Sequence, residues 1–412
     1  MNIRSITAFI DPGYPPVEER LAEAGAFLAR ARAAYEAAGF PVQTTRLATL
    51  PFPALLGPGP VERAVPLARE MERLCRAYGI DYCSLGPVLP DAPLDYVEVI
   101  YDILAATQDI FAAVTIASPD GIHLAAVQQA AHLIQAVSRI SPDGFGNLRL
   151  AALANCPPGS PFFPVAYHGG GMPTFAIATE AADLAVAAFE AATSLASGWA
   201  NLVTAIEAHA ERLAAVADTL VAGAAHTIAF GGIDFSLAPF PEVTRSLGAA
   251  MERLGVPRVG AQGSLFAAAL LADALDQARF PRCGFSGLML PVLEDAVLAQ
   301  RAASGDLSIN DLLLYSAVCG AGLDTVPLPG DISVEDLAAI LLDVAALSTR
   351  LGKPLTARLM PIPGLQAGDV VRFDFPYFAA SRVISPKGAG LGRLLLAGER
   401  LILLGPRWRD KA

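Results

Sequence analysis

Charge is scarce in this chain. Asp, Glu, Lys and Arg make up 17% of its 412 residues, and 40 acidic residues outnumber 29 basic ones. No Lys/Arg run could track a phosphate backbone, which argues against a nucleic-acid partner. Cysteine is sparse too: the five are odd in number and scattered, which argues against a disulfide framework and for a reducing, cytoplasmic setting. The nearest pair in sequence, Cys75 and Cys83, does not have zinc spacing, and no His-x-x-x-His pair is present. Unbroken apolar runs are missing, although 54% of residues are hydrophobic and mean hydropathy is +0.46. A membrane helix needs ~20 consecutive apolar residues. Here 184–206 is broken by Glu190, 213–233 by Asp218 and His226, and 121–138 by Gln128, Gln129 and Gln135. The expectation is no membrane partner and an extensive core. The start, Met-Asn-Ile-Arg-Ser-Ile-Thr, lacks the layout of a signal peptide. There is no P-loop, and Gly169-Gly170-Gly171 lacks the spacing of a nucleotide fingerprint.

What is abundant is alternation of short apolar runs with helical patterns. Strands are expected at Ile3–Phe9, Val42–Leu50, Ile80–Leu85, Ile110–Ala117 and Leu148–Ala154. A second set is expected at Thr174–Ala178, within Thr227–Leu237, and at Gly284–Leu290, Leu323–Pro327 and Pro354–Pro361. Helical patterns lie between them, clearest where Leu21, Ala24, Leu28, Ala31 and Tyr35 recur at spacings of three and four. Residues 181–222 read as two helices meeting near Ser197–Gly198, 122–139 as one helix, and 370–404 as short strands and turns. The class is α/β. About ten strands exceed the eight of the common barrel, and no linker divides the chain, so one domain is expected.

The organising stretch is 154–173, with five prolines, four glycines, Cys156 and His168 between the fifth and sixth strands. It can be neither helix nor internal strand, and a long stiff loop held by a scaffold favours function. His168, followed by three glycines, is a candidate acid, base or ligand. Cys156 is a conceivable nucleophile, although an inert buried thiol is commoner. Asp234, in Gly-Gly-Ile-Asp-Phe-Ser, needs a partner, a divalent metal or a raised pKa in so apolar a setting. Ser286, in Cys-Gly-Phe-Ser-Gly, is one residue short of the hydrolase serine elbow. Glu294 and Asp295 fit the first turn of a helix by its dipole. Cys319 and Asp324 sit at a strand entry. Ser333 with Asp336 reads as a structural helix cap. Arg358, between apolar strand neighbours, suits a carboxylate or phosphate if it faces inward.

Several motifs resemble the family of domain of unknown function 711, whose members carry the label "PFL family" after pyruvate formate-lyase. The resemblance runs from Ile3-Arg4-Ser5-Ile6-Thr7 to about residue 375. It rests on Ala166-Tyr167-His168-Gly169, Asp234 to Pro239, Gly284-Phe285-Ser286-Gly287 with Pro291 and Glu294-Asp295, Cys319 to Asp324 with Pro329-Gly330-Asp331, and Thr356-Ala357-Arg358 with Pro361 to Gly364. It implies a ten-stranded α/β barrel of two five-stranded halves, 1–154 and 174–375, with 155–173 as a central loop and 376–412 as an extension. Glycyl-radical chemistry is not implied. Where those enzymes carry Arg-Val-x-Gly-aromatic, this chain has Arg382-Val383-Ile384-Ser385-Pro386. Two departures from the family bear on the ligand: its usual glutamate is Met172 here, and a glycine-rich run has become Phe373-Asp374-Phe375-Pro376-Tyr377-Phe378.

The resulting expectation is a non-radical enzyme with lyase, hydrolase or isomerase chemistry on a small anionic metabolite inside the barrel. His168, Asp234 and Cys319 would be catalytic, and Arg358, Tyr167, Ser286 and Asp324 would bind substrate. The alternatives are a binding or regulatory protein without catalysis, and a scaffold. A homodimer is the default assembly.

Overall fold

The computed structural model describes residues 1–224, 227–392 and 401–404. Thirteen strands occur among them: β1 (Asn2–Phe9), β2 (Val42–Ala48), β3 (Tyr82–Ser84), β4 (Ile110–Ser118), β5 (Gly121–His123), β6 (Leu150–Ala154), β7 (Thr174–Glu180), β8 (Ala229–Asp234), β9 (Gly322–Pro329), β10 (Leu355–Ile362), β11 (Val370–Val371), β12 (Ser381–Arg382) and β13 (Leu401–Ile402). The large sheet runs β8-β7-β1-β2-β3-β4-β6-β10-β9. It is mostly parallel, with antiparallel seams at β1/β7 and β6/β10.

Nine of the ten expected strands are present as regular strands. The exception is Gly284–Leu290, which makes only isolated bridges: Ile233↔Arg282 and Leu237↔Leu288 to the β8 side, and Pro291↔Asp324 to β9. Its sequence explains this. Gly284 (φ +58°) and Ser286 (φ +41°) adopt left-handed conformations, and the backbones of Gly287 and Gly320 approach so closely that a Cβ on Gly287 would fall 2.5 Å from the Gly320 Cα. A uniform pleat cannot pass through such a stretch. Regular strands therefore do not close the sheet into the expected barrel.

Two helical expectations also shift. Gly121–His123 is not helical; it forms the hairpin strand β5, pairing β4 and β13, and the helix spans Leu124–Val137. The long Ala-rich stretch breaks at 191–194 rather than at Ser197–Gly198, because Ser194 caps the second helix (Leu195–Gly223) in a box with Ser197. Ser333 caps its helix as read, accepting from the Asp336 amide at 3.0 Å. No helix among the described residues is long and apolar enough to cross a membrane.

Side-chain alternation along the strands separates two environments. In β7, Phe175 and Ile177 join the main core with the helices, whereas Ala176 and Ala178 pack with Phe163 and Phe162 of the central loop. In β4 and β6, Ala112, Val114 and Ala152 belong to the main core, and Ala113, Ala151 and Leu153 pack with Val165. Alternate residues of these strands thus face the helices and the loop, and in β7 the large ones face the helices while alanines make room for the loop. Ser160 to His168 are all buried.

Candidate functional site

Irregularities in strand pairing place the charged groups of the interior. Ile3 pairs with Thr179 and Ser5 with Ala178, so Arg4 is the extra residue of a bulge. Ala357 pairs with Leu323 and Leu359 with Val326, so Asp324 and Thr325 stand against Arg358 alone. A bulge re-aims a side chain that regular pleating would direct elsewhere. The outcome is a buried ion network. Arg358 donates from Nε to Asp324 Oδ1 (2.5 Å) and from Nη2 to Glu294 Oε1 (2.8 Å), and Arg4 Nη1 reaches Glu294 Oε2 at 3.0 Å. Arg4 Nη2 is held by the Pro239 carbonyl at 2.7 Å. Burial works against the Arg358 charge, but Asp324 and Glu294 together raise its pKa. Burial raises the Asp324 pKa, and Arg358 opposes that rise.

Beside the network lies a cavity of about 380 Å³, at the small end of the usual range for ligand sites. Arg4, Glu294, Asp324 and Arg358 line it, together with Arg46 of β2. Arg4 Nε is buried without a hydrogen bond, 3.7 Å from Glu180, whereas Arg46 lies outside these ion pairs. Its Nε donates to Thr44 Oγ1 (2.9 Å), and that hydroxyl donates to the Arg4 carbonyl (2.9 Å). Its guanidinium lies over the rings of Phe163 (5.0 Å to the centroid) and Tyr82 (5.8 Å). Among the described residues, no carboxylate pairs with it and neither Nη has an acceptor. Burial, with help from Arg4 and Arg358, lowers its pKa to about 10, so the group stays charged at neutral pH. The remaining wall is rich in aromatic rings, including Phe111, Phe145, Phe162 and Phe285, with Phe375 and Tyr377 from the C-terminal tail.

The central loop supplies the tip of this wall. Ser5 and Thr7 of β1 both donate to the Pro161 carbonyl (3.2 and 3.0 Å), and Phe162 to Val165 then line the cavity. The loop enters after Ala154 and leaves at Thr174, which pairs with Phe9 at the far end of β1 from Arg4. His168 lies on the outgoing leg, near that far end. Its amide donates to the Thr49 carbonyl at 2.8 Å, it is buried, and burial lowers its pKa. Its Nε2 has no hydrogen-bond partner among the described residues.

Of the residues singled out from sequence, Arg358 and Asp324 therefore come together at the cavity, whereas His168, Asp234, Cys319, Tyr167 and Ser286 are not among its lining. Asp234 is fully buried and ties β8 to the irregular segment. It accepts from Ser236 Oγ (2.5 Å) and from the amides of Phe285 (2.7 Å) and Ser286 (2.8 Å). Burial nonetheless raises its pKa to about 6 against those hydrogen bonds. Ser286 Oγ accepts from the Phe235 amide (3.2 Å) and donates to the Cys283 carbonyl (3.0 Å) in the same turn. Tyr167 donates its hydroxyl to the Cys156 carbonyl at 3.0 Å, joining the two legs of the loop. Cys156 has its thiol pKa pushed up to about 12 by burial. Cys319 is buried, and its carbonyl accepts from Lys353 Nζ. Among the described residues, no group of three or more His, Cys, Asp or Glu side chains is placed to hold a metal ion.

Residues 1–378 match the family described as Uncharacterised ACR (DUF711). The chain belongs to the DUF711 family. It is 34% identical over 345 residues to a UPF0210 protein of Pyrobaculum arsenaticum, covering 80% of this chain and 76% of the relative. It is 28% identical over 351 residues to a UPF0210 protein of Acetivibrio thermocellus, covering 81% and 77%.

In this DUF711 chain, sequence reading passed over Arg4 and Arg46 and gave Glu294 only a helix-dipole role. Both arginines sit in expected strands, but beside Ser5, Thr44 and Thr45, which read as a polar face. Glu294 precedes its helix, which Asp295 caps by accepting from the Val297 and Leu298 amides at 2.9 and 3.0 Å. Phe375 and Tyr377 line the cavity.

Proposed function

We propose that the chain forms a ten-stranded ring whose cavity binds a small anionic metabolite and carries out acid–base chemistry on it. The ring reading is supported by segment 281–292. It bonds to the β8 side through the Ile233 amide and the Pro281 carbonyl (2.7 Å), and to β9 through the Val292 amide and the Asp324 carbonyl (3.1 Å). It thereby fills the place of an irregular tenth strand between the two sheet edges. The antiparallel seams at β1/β7 and β6/β10 then separate two halves of five.

The observation that carries the ligand reading is Arg46: a positive charge on the cavity lining, oriented through Nε, stacked on rings, and without a carboxylate partner among the described residues. Arg46 is half-buried, and its fixed guanidinium fork matches a carboxylate or phosphate. Arg358, already engaged by two carboxylates, acts in this reading by holding Asp324 and Glu294. Asp324 then faces the bound molecule as the group able to exchange a proton, since burial raises its pKa. Among the roles expected from sequence, those of His168, Asp234 and Cys319 become supporting ones: the loop's outgoing leg, the irregular strand and the approach to β9. Five free cysteines fit a reducing compartment.

The test is thermal stabilisation by a panel of small carboxylates and phosphates on the wild type and on R46Q. At least one anion should raise the Tm of the wild type saturably, and R46Q should weaken that effect by about tenfold or more. Equal stabilisation of both proteins would overturn the reading. A second reading, binding without turnover, draws on the same saturated Arg358 network. Recovery of the bound anion chemically unchanged after prolonged incubation would favour it.

A further inference from the structure

Resting on the anion site just described, we propose that the ligand is a monocarboxylate with a flat aromatic body, its carboxylate on the free edge of Arg46 and its ring among the neighbouring aromatic side chains. Charge decides the first part. Of the four arginines on the lining, Arg4 and Arg358 are held by Glu294 and Asp324, and Arg149 donates to the carbonyls of Leu104 (2.7 Å), Thr107 (2.8 Å) and Ile110 (3.4 Å). Asp109 pairs with Arg76 at 2.7 Å. Arg46 is left as the lining arginine with neither a carboxylate partner nor an Nη acceptor among the described residues. A monoanion balances it. A phosphate monoester, close to a dianion at neutral pH, would carry one uncompensated negative charge into a low-dielectric site beside Glu294 and Asp324.

Shape decides the second part. With Nε committed to Thr44, the Nη pair of Arg46 offers two parallel donors in one plane, the geometry that a carboxylate accepts in a bidentate manner. Phe111 meets Tyr82 and Phe163 edge-on, both at 5.3 Å between centroids, with interplanar angles of 68° and 64°. Tyr82 and Phe163 lie against the guanidinium, and Phe111, packed edge-on to both, extends the ring cluster along the cavity wall. A fourth ring packed against this cluster finds edges and faces at favourable separations, whereas a polyol body would leave hydroxyls facing carbon.

Titration calorimetry of the full chain with benzoate, acetate, benzamide and phenyl phosphate tests this. Benzoate should bind saturably, about tenfold or more tighter than acetate, with benzamide undetectable and phenyl phosphate weaker than benzoate. R46Q should bind benzoate about tenfold or more weakly. Should R46Q not fold, R46K serves, retaining charge without the fork and also predicted to lose affinity. Acetate binding as well as benzoate, or phenyl phosphate binding more tightly, would overturn the aromatic-monocarboxylate assignment while leaving the anion site standing, provided the Arg46 variant still weakens binding. No binding by any anion of this panel or the earlier one, or binding indifferent to Arg46, would remove both.

Discussion

At the scale of residues, what matters is which charges are satisfied and which is not. Glu294 bridges Arg4 and Arg358, and Asp324 takes the remaining Nε of Arg358. All four groups lie almost out of solvent, with side-chain exposures of 9–13%. Removing one member of such a set leaves an uncompensated buried charge. R358M should therefore destabilise the chain by about 3–5 kcal/mol, measured as a shift of the urea midpoint at unchanged slope. The double variant R358M/D324L should recover part of that loss. A single variant as stable as the wild type would mean the carboxylates are hydrated or protonated instead of paired. Legibility at this scale was uneven. Arg358 could be read as inward because its strand is apolar on both sides, and Asp324 because it stands at a strand entry. Arg4 and Arg46 also sit in expected strands, but among Ser5, Thr44 and Thr45, which read as an outward polar face. Those hydroxyls in fact find internal acceptors: Ser5 the Pro161 carbonyl (3.2 Å), Thr44 the Arg4 carbonyl (2.9 Å) and Thr45 the Asp81 carboxylate (3.2 Å). His168 drew attention through its glycines, but its place on the outgoing leg depends on where the loop turns, and sequence does not specify that.

At the scale of elements, the irregular segment 281–292 and the central loop do what regular strands cannot. Prolines and glycines made the loop recognisable, and its burial between strands follows from the alanines opposite it. The segment was read as a strand because its apolar content is strand-like; its positive-φ turn is set by Asp234 from another element. A Cβ on Gly284 would fall 2.0 Å from Asp234 Oδ2, so this glycine is required by the carboxylate it wraps. The pKa of Asp234, raised from 3.8 to about 6, makes the element pH-sensitive. The folded chain holds this proton more tightly than the unfolded chain does. Its contribution to stability is therefore complete below about pH 4 and is lost as pH rises through about 6. The amide of a D234N variant does not titrate. Between pH 4 and 7 the stability of D234N relative to wild type should rise by up to about 3 kcal/mol, read from denaturant curves at several pH values. Parallel curves would show that Asp234 is ionised throughout, held by its three donors.

At the scale of the whole molecule, the sheet and the inward-folded loop border a charged, ring-lined cavity at the Arg4 end of β1. The aromatic tail at Phe375 and Tyr377 borders it. The alternation of strands and helices made the α/β class readable from the first hundred residues. The segment Gly284–Leu290 has the apolar content of a strand, but the left-handed Gly284 and Ser286 reduce it to isolated bridges, so regular strands do not close the sheet. The decisive experiment is the anomalous bromine signal in a crystal of the full chain soaked with 4-bromobenzoate. The expected result is a bromine peak inside the cavity, against Phe162, Phe163 or Phe285, with the carboxylate on both Nη atoms of Arg46. A saturating soak that leaves the cavity empty, or a peak with no contact between carboxylate and Arg46, would contradict it.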